Sequence, residues 1–308
     1  MATQAAARQV GVQEIQRPTR SLWRDAWFTF TRDRLAIGGL VVFVILVIAV
    51  MIGPYVWGGS SSDIDFARSL EGPSFEHPMG TDDLGRDLFA RVLNGGRISI
   101  AVGITAVVIA IVLGTLVGAI AGYFGRFDNP LMRLTDLFLS LPILPLLLVL
   151  VYLFRETLRA WFGPELGIFL MIVVVIGILN WMPVARLVRA SFLSLKQKEF
   201  VEAARCVGDK DGRIIFKHIL PNVLSPVLVA ATIGVGGAII TESTLSFLGL
   251  GFPSDVPTWG RILFDGANFI DIAPHWVIFP GLCIVVVVLS INFIGDGLRD
   301  ALDPRRKV

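Results

Sequence analysis

Six stretches of the chain are free of Lys, Arg, Asp and Glu or nearly so: residues 36–57, 98–125, 137–154, 166–185, 222–254 and 276–295. The fifth contains one acid, Glu242. A bilayer core roughly 30 Å thick is crossed by about 20 apolar residues in helix, so the pattern predicts six transmembrane helices in an all-α, polytopic membrane protein. The second and fifth stretches are longer than a crossing needs and are expected to tilt, kink or protrude. Ahead of the first, residues 21–34 set Leu22, Trp23, Ala26, Trp27 and Phe30 along one side of a helix, with Arg24, Arg32 and Arg34 among the polar positions. This fits an interfacial helix lying on the membrane or an ordinary juxtamembrane extension. The first stretch follows 35 residues and no small-residue cleavage site, so a retained helix is expected in place of a removable signal.

Composition agrees. Of 308 residues 54% are hydrophobic and 17% charged, with mean hydropathy +0.72, too apolar for a soluble domain's surface. A net charge of +2, from 27 Lys and Arg against 25 Asp and Glu, gives no basis for nucleic-acid binding. The placement of the cations carries more information. With the N-terminus inside, 20 of them fall in inner segments and 7 in outer ones (Arg68, Arg86, Arg91, Arg97, Arg155, Arg159 and Arg261), which predicts both termini in the cytoplasm. Cys206 falls in an inner loop and Cys283 within a span, so a disulfide is not expected.

The inner segment between spans four and five runs to about 40 residues, where a plain helix connection needs only 2–8. Residues 199–208 have helix-forming composition followed by Gly208, suited to a helix C-terminus. Residues 209–212 read as a turn, and residues 213–220 as a second helix stopped by Pro221. The result is a helix-turn-helix on the inner face.

Glu202-Ala203-Ala204, Gly208 four positions after Ala204, and Ile219-Leu220-Pro221 resemble the EAA loop of ABC importer permeases. His218 departs from the wider pattern, which has Ile there. The sequence His218-Ile219-Leu220-Pro221-Asn222 is similar to the peptide-permease branch, and no proton chemistry is expected of His218. Residues 77–87, 121–125, 245–251 and 295–304 also resemble the dipeptide and oligopeptide permeases, of the subunit type with one helix preceding the core. The resemblance covers roughly residues 20–305.

It implies a type I importer permease fold in a prokaryotic plasma (inner) membrane, with a tail at 1–35, a first helix at 36–57, an outer loop at 58–97, a five-helix core at 98–295 and a tail at 296–308. Within the core, the loop 185–221 would contact ATPase subunits through Glu199, Glu202, Ala203, Ala204, Arg205, Gly208, Ile219, Leu220 and Pro221. The implied partners are a second homologous permease, two ABC ATPases that bind ATP and Mg, and an extracytoplasmic solute-binding protein delivering a peptide-like solute. Glutathione, nickel complexes or oligosaccharides are alternative cargoes.

Other residues invite narrower readings. Gly114, Gly118 and Gly122 form a stripe of small residues for helix packing, with the partner helix expected in the same chain. Glu242, well inside an apolar run, is a candidate for the translocation path or for a polar packing network. Thr81, Asp82, Asp83 and Asp87 resemble a hard-cation site, but Arg86 and Arg91 at helical spacing favour ion pairing, with Thr81 or Asp82 as a helix N-cap. Pro142, Pro145 and Pro183 are expected to kink spans three and four, while Asp136 and Asn180 are placed near span ends. The outer loop 252–275, with Trp259 and three acids, is a candidate for binding-protein docking, and Trp276 for an interfacial anchor.

None of the five lysines follows a glycine, and His-Glu-x-x-His and Gly-x-Ser-x-Gly are missing, so no ATP site, resident cofactor, metal site or catalytic residue is expected. An ion-coupled transporter would call for more intramembrane charges and an internal repeat, and a membrane enzyme for a nucleophile and base at membrane depth.

Overall fold

The computed structural model describes residues 22–302; positions 1–21, including Ser21 of the anticipated interfacial helix, and 303–308 lie outside. Helix α1 (Leu22–Phe30) leads into α2 (Arg34–Val56) through Asp33, whose carboxylate accepts from the amides of Leu35 and Ala36. Helix α1 docks on the last helix, α11 (His275–Leu302), burying Ala26 and Phe30. Helix α11 continues well past residue 295, so much of the anticipated tail at 296–308 is helical.

Helix α3 (Leu88–Tyr123) has 36 residues, on the order of 54 Å, and starts ahead of its apolar stretch because Asp87 caps it by accepting from the amides of Phe89 and Ala90. Asp87 takes the capping role expected of Thr81 or Asp82. Helices α4 (Gly125–Ser140) and α5 (Ile143–Phe162) meet at 90°. The apolar stretch 137–154 therefore straddles a corner. Pro142 disfavours helical backbone at the residue before it, and Leu141 is extended (φ −78°, ψ 138°). Helices α6 (Pro164–Leu179) and α7 (Trp181–Leu195) bend by 40° at Asn180, with Pro183 in the first turn of α7, where its missing N–H costs nothing. Among the described residues, four helices are long and apolar enough to cross a membrane, or up to six spans if each bent pair counts as one.

After α8 (Glu199–Cys206) the chain turns and runs as one continuous rod from Asp211 to Phe247. Its regular part is α9 (Leu220–Phe247), preceded by a turn of α-helix and by π-helical Ile214–Ile219. Pro221 was expected to stop a helix here. It does not, because the wider π turn, with the Leu220 amide reaching the Ile215 carbonyl, places Pro221 in the first turn of the α-helical segment. The short α10 (Trp259–Gly266) precedes α11.

The glycine stripe of α3 seats α7 of the same chain. A Cβ at Gly114, Gly118 or Gly122 would come within 2.5–2.6 Å of Val184, Ala185 or Phe192 respectively. Near the start of α3, Trp259 packs over Gly96 and donates from its indole to the Val92 carbonyl at 3.0 Å, and both Trp259 and Trp276 are fully buried. Trp276 is thus a core residue, stacked on Phe269 and lying over Gly266, and not an interfacial anchor. Asp82, itself inaccessible, holds Arg86 at 2.6 Å and Arg91 at 3.3 Å, and Arg91 reaches Asp265 of α10, so ion pairing takes the place of a cation at Asp82.

Candidate coupling hairpin and translocation cavity

The segment α8–turn–α9 forms a hairpin at one end of the bundle. Val201 and Ala204 of α8 turn inward and join Ile214, Ile219, Val223 and Phe192 in one buried cluster. Ala204, expected to admit a partner, is occupied by this internal packing; Ala203 beside it is exposed, as are Glu199, Glu202 and Arg205. Ile219 is buried, Leu220 half-buried and Pro221 exposed. The acids Glu199 and Glu202 lie in the first turn of α8 and Arg205 in the last, each favourable to the helix dipole.

Gly208 ends α8 in the left-handed region (φ +90°), and the Asp209 amide closes back on the Ala204 carbonyl at 3.0 Å. Asp209 then accepts from Arg213 at 2.9 Å and lies 3.1 Å from His218 Nε2. The Arg213 hydrogen bond, with help from His218 and against desolvation, holds the Asp209 carboxyl below its ordinary range. The hairpin is fastened to the bundle by the Tyr123 hydroxyl donating to Asp211 and by Lys196 Nζ donating to the Gly122 carbonyl.

Sequence reasoning missed the apolar part of the exposed face. Val207 (86% exposed) and Phe216 (69%) flank the tip, joined by the exposed Phe200. A large apolar residue immediately before the C-capping glycine, with no apolar face to join, was the available signal.

Within the bundle a cavity of about 500 Å³ lies between α3, α6, α7 and α9. Its walls are apolar, with Asn180 and Thr241 as the hydrogen-bonding side chains, and none of the described residues lining it is charged. Asn180, at the bend, donates to the Ile176 carbonyl at 2.7 Å. Gly234, Gly237 and Thr241 place one face of α9 on this cavity, so the rod that begins in the hairpin ends as a cavity wall.

Glu242, the sequence's candidate for that wall, faces the other way. Its side chain is fully buried and accepts from Ser99 at 3.1 Å and from Ser246 at 2.8 Å. The Ser99 hydroxyl also accepts from the Trp259 amide at 3.3 Å, so the network ties α9 to α3 and α10. An acid with its hydrogen bonds satisfied inside the fold packs helices together, and its neighbour Thr241 is the cavity residue.

Residues 110–308 match the family model described as binding-protein-dependent transport system inner membrane component, and residues 21–73 match that of the N-terminal TM domain of oligopeptide transport permease C. The chain belongs to this permease family. The permease is 43% identical over 295 residues to the dipeptide transport system permease protein DppC of Alkalihalophilus pseudofirmus, covering 96% of this chain and 93% of that one. It is 41% identical over 297 residues to the oligopeptide transport system permease protein OppC of Haemophilus influenzae, covering 96% and 92%. These relatives place the permease in the dipeptide and oligopeptide ABC branch as a multi-pass membrane protein. Its fold matches a chain of the MetNI methionine ABC transporter in an inward facing conformation, with TM-score 0.56 and 19% identity over 69% of this chain and 96% of that one.

Proposed function

We propose that the permease forms half of a path through which peptides enter the cell, driven by separate ATPase subunits that bind ATP and Mg and grip the hairpin. The hairpin end is then cytoplasmic, with both termini, and a second homologous permease supplies the other half of the path. An extracytoplasmic solute-binding protein delivers cargo at the opposite end. The inner surplus of cations supports this orientation, and the names of the relatives support a peptide cargo.

One observation carries the coupling: residues 211–247 form a single helix with Phe216 at the hairpin tip and Thr241 in the cavity wall. At 1.5 Å per residue these sites are about 38 Å apart along one helix, so a push on the tip is carried to the cavity through the π turn at 214–219 and past Pro226 with no break in the helix. Exposed Val207, Phe216 and Ala203 offer the apolar contact, and Glu202 and Arg205 the polar rim.

The test is to measure ATPase pull-down, ATP hydrolysis and peptide uptake together in the assembled transporter carrying Glu202→Lys or Val207→Ser. Both variants are expected to insert normally and to lose uptake while the ATPases are released or hydrolyse without transport. Normal uptake in both would discard the assignment. Identifying the ligand that copurifies with the binding protein tests peptide against glutathione, a nickel complex or an oligosaccharide.

A further inference from the structure

We infer that Arg299 is a specificity residue at the inner mouth of the path, receiving the terminal carboxylate of the cargo as it leaves; this rests on the peptide reading above. A second cavity, of about 490 Å³, adjoins the first and shares Leu187, Ala230 and Ile233 with it. Together they make an apolar passage that runs along α9 towards the hairpin end, bounded by Thr241 at one extreme and by Arg299 and Leu302 of α11 at the other. Among the described residues, Arg299 is the single charged side chain lining either cavity. It makes no ion pair with a described residue, although Asp296 lies one turn earlier on the same helix.

The physical consequence is directional. Apolar walls with a few hydrogen-bonding groups hold neutral peptide surface without strong preference, which suits varied side chains. The feature common to unblocked peptides is the terminal carboxylate, and a guanidinium fork binds a carboxylate bidentately. This cation, at the inner end of a passage with no other charged lining residue among those described, attracts that group out of it. Because Arg299 is solvent-exposed, the attraction is weak enough to release the cargo.

The experiment uses the complete transporter in proteoliposomes with excess loaded binding protein. It compares one tripeptide carrying a free C-terminal carboxylate with the same tripeptide as its C-terminal amide, in wild type, Arg299→Gln and Arg299→Lys. Each rate is divided by the wild-type rate for the same peptide, so differences in delivery cancel. Arg299→Gln is expected to slow the carboxylate form by roughly three- to tenfold and to leave the amide form and basal ATP hydrolysis unchanged, with Arg299→Lys recovering most of the loss. Equal slowing of both forms, no slowing of either, or altered basal hydrolysis overturns the inference. So does a defect that appears only in vesicles containing anionic phospholipid, which would assign Arg299 to a lipid headgroup. If the wild type moves neither tripeptide, the peptide reading itself fails and this inference falls with it.

Discussion

The hydroxyl of Ser99 donates to the carboxylate of Glu242 across 3.1 Å, joining the first third of α3 to the far end of the rod that starts in the hairpin. Because Glu242 is fully buried with Ser246 as a second donor, replacing it by Leu strands two hydroxyls, and by Gln keeps partners for them. Glu242→Leu is expected to lower stability by about 1–3 kcal/mol, and Glu242→Gln by less. Thermal unfolding in detergent checks this. A Leu variant of normal stability with altered cargo choice would return Glu242 to the path.

The seam between α3 and α7 predicts a contrast between glycines. Gly118→Val pushes a side chain into the Ala185 carbonyl, 2.5 Å from the new Cβ, and should cost about 1–3 kcal/mol or prevent folding. Gly237, with nothing within 4 Å of its Cβ, should accept Ala and gain up to about 1 kcal/mol in helix stability. Yields of monodisperse protein and melting temperatures, compared side by side, separate the two.

At the hairpin tip, Gly208 at φ +90° is required by its backbone and not by lack of space, since nothing lies within 4 Å of its Cβ. Gly208→Ala should therefore cost about 1–2 kcal/mol locally, raising hydrogen exchange across residues 204–210 while leaving the membrane helices protected. Gly208→Asp should do the same and uncouple transport from ATP hydrolysis. Exchange that rises throughout the bundle would contradict a local effect.

The depressed Asp209 carboxyl gives the hairpin a pH dependence of known sign. A carboxyl held below its ordinary value in the fold adds stability that is complete above the unfolded value of about 4 and is lost as pH falls through the lower folded value. The wild type should resist local unfolding of residues 207–218 better than Asp209→Asn at neutral pH, and this advantage should vanish in strong acid. An advantage that grows on acidification would have the wrong sign.

Much of the permease was legible in its chain because the governing forces are local or set by the membrane. Apolar length predicted the crossings, Gly208 the end of α8, and the spacing of Gly114, Gly118 and Gly122 a close helix contact, since each depends on residues near in sequence. Other features depend on what stands opposite. Pro142 reads as a kink, but a 90° corner follows only once α5 is packed against α6. Pro221 reads as a stop, yet the π turn before it carries the helix through and makes hairpin and cavity wall one body. Ala204 and Glu242 read as partner and path residues, and both are consumed by internal packing that a one-dimensional pattern does not contain. Hydrophobic periodicity specifies that a residue leaves water or lipid; which neighbour receives it is decided by the three-dimensional meeting of helices.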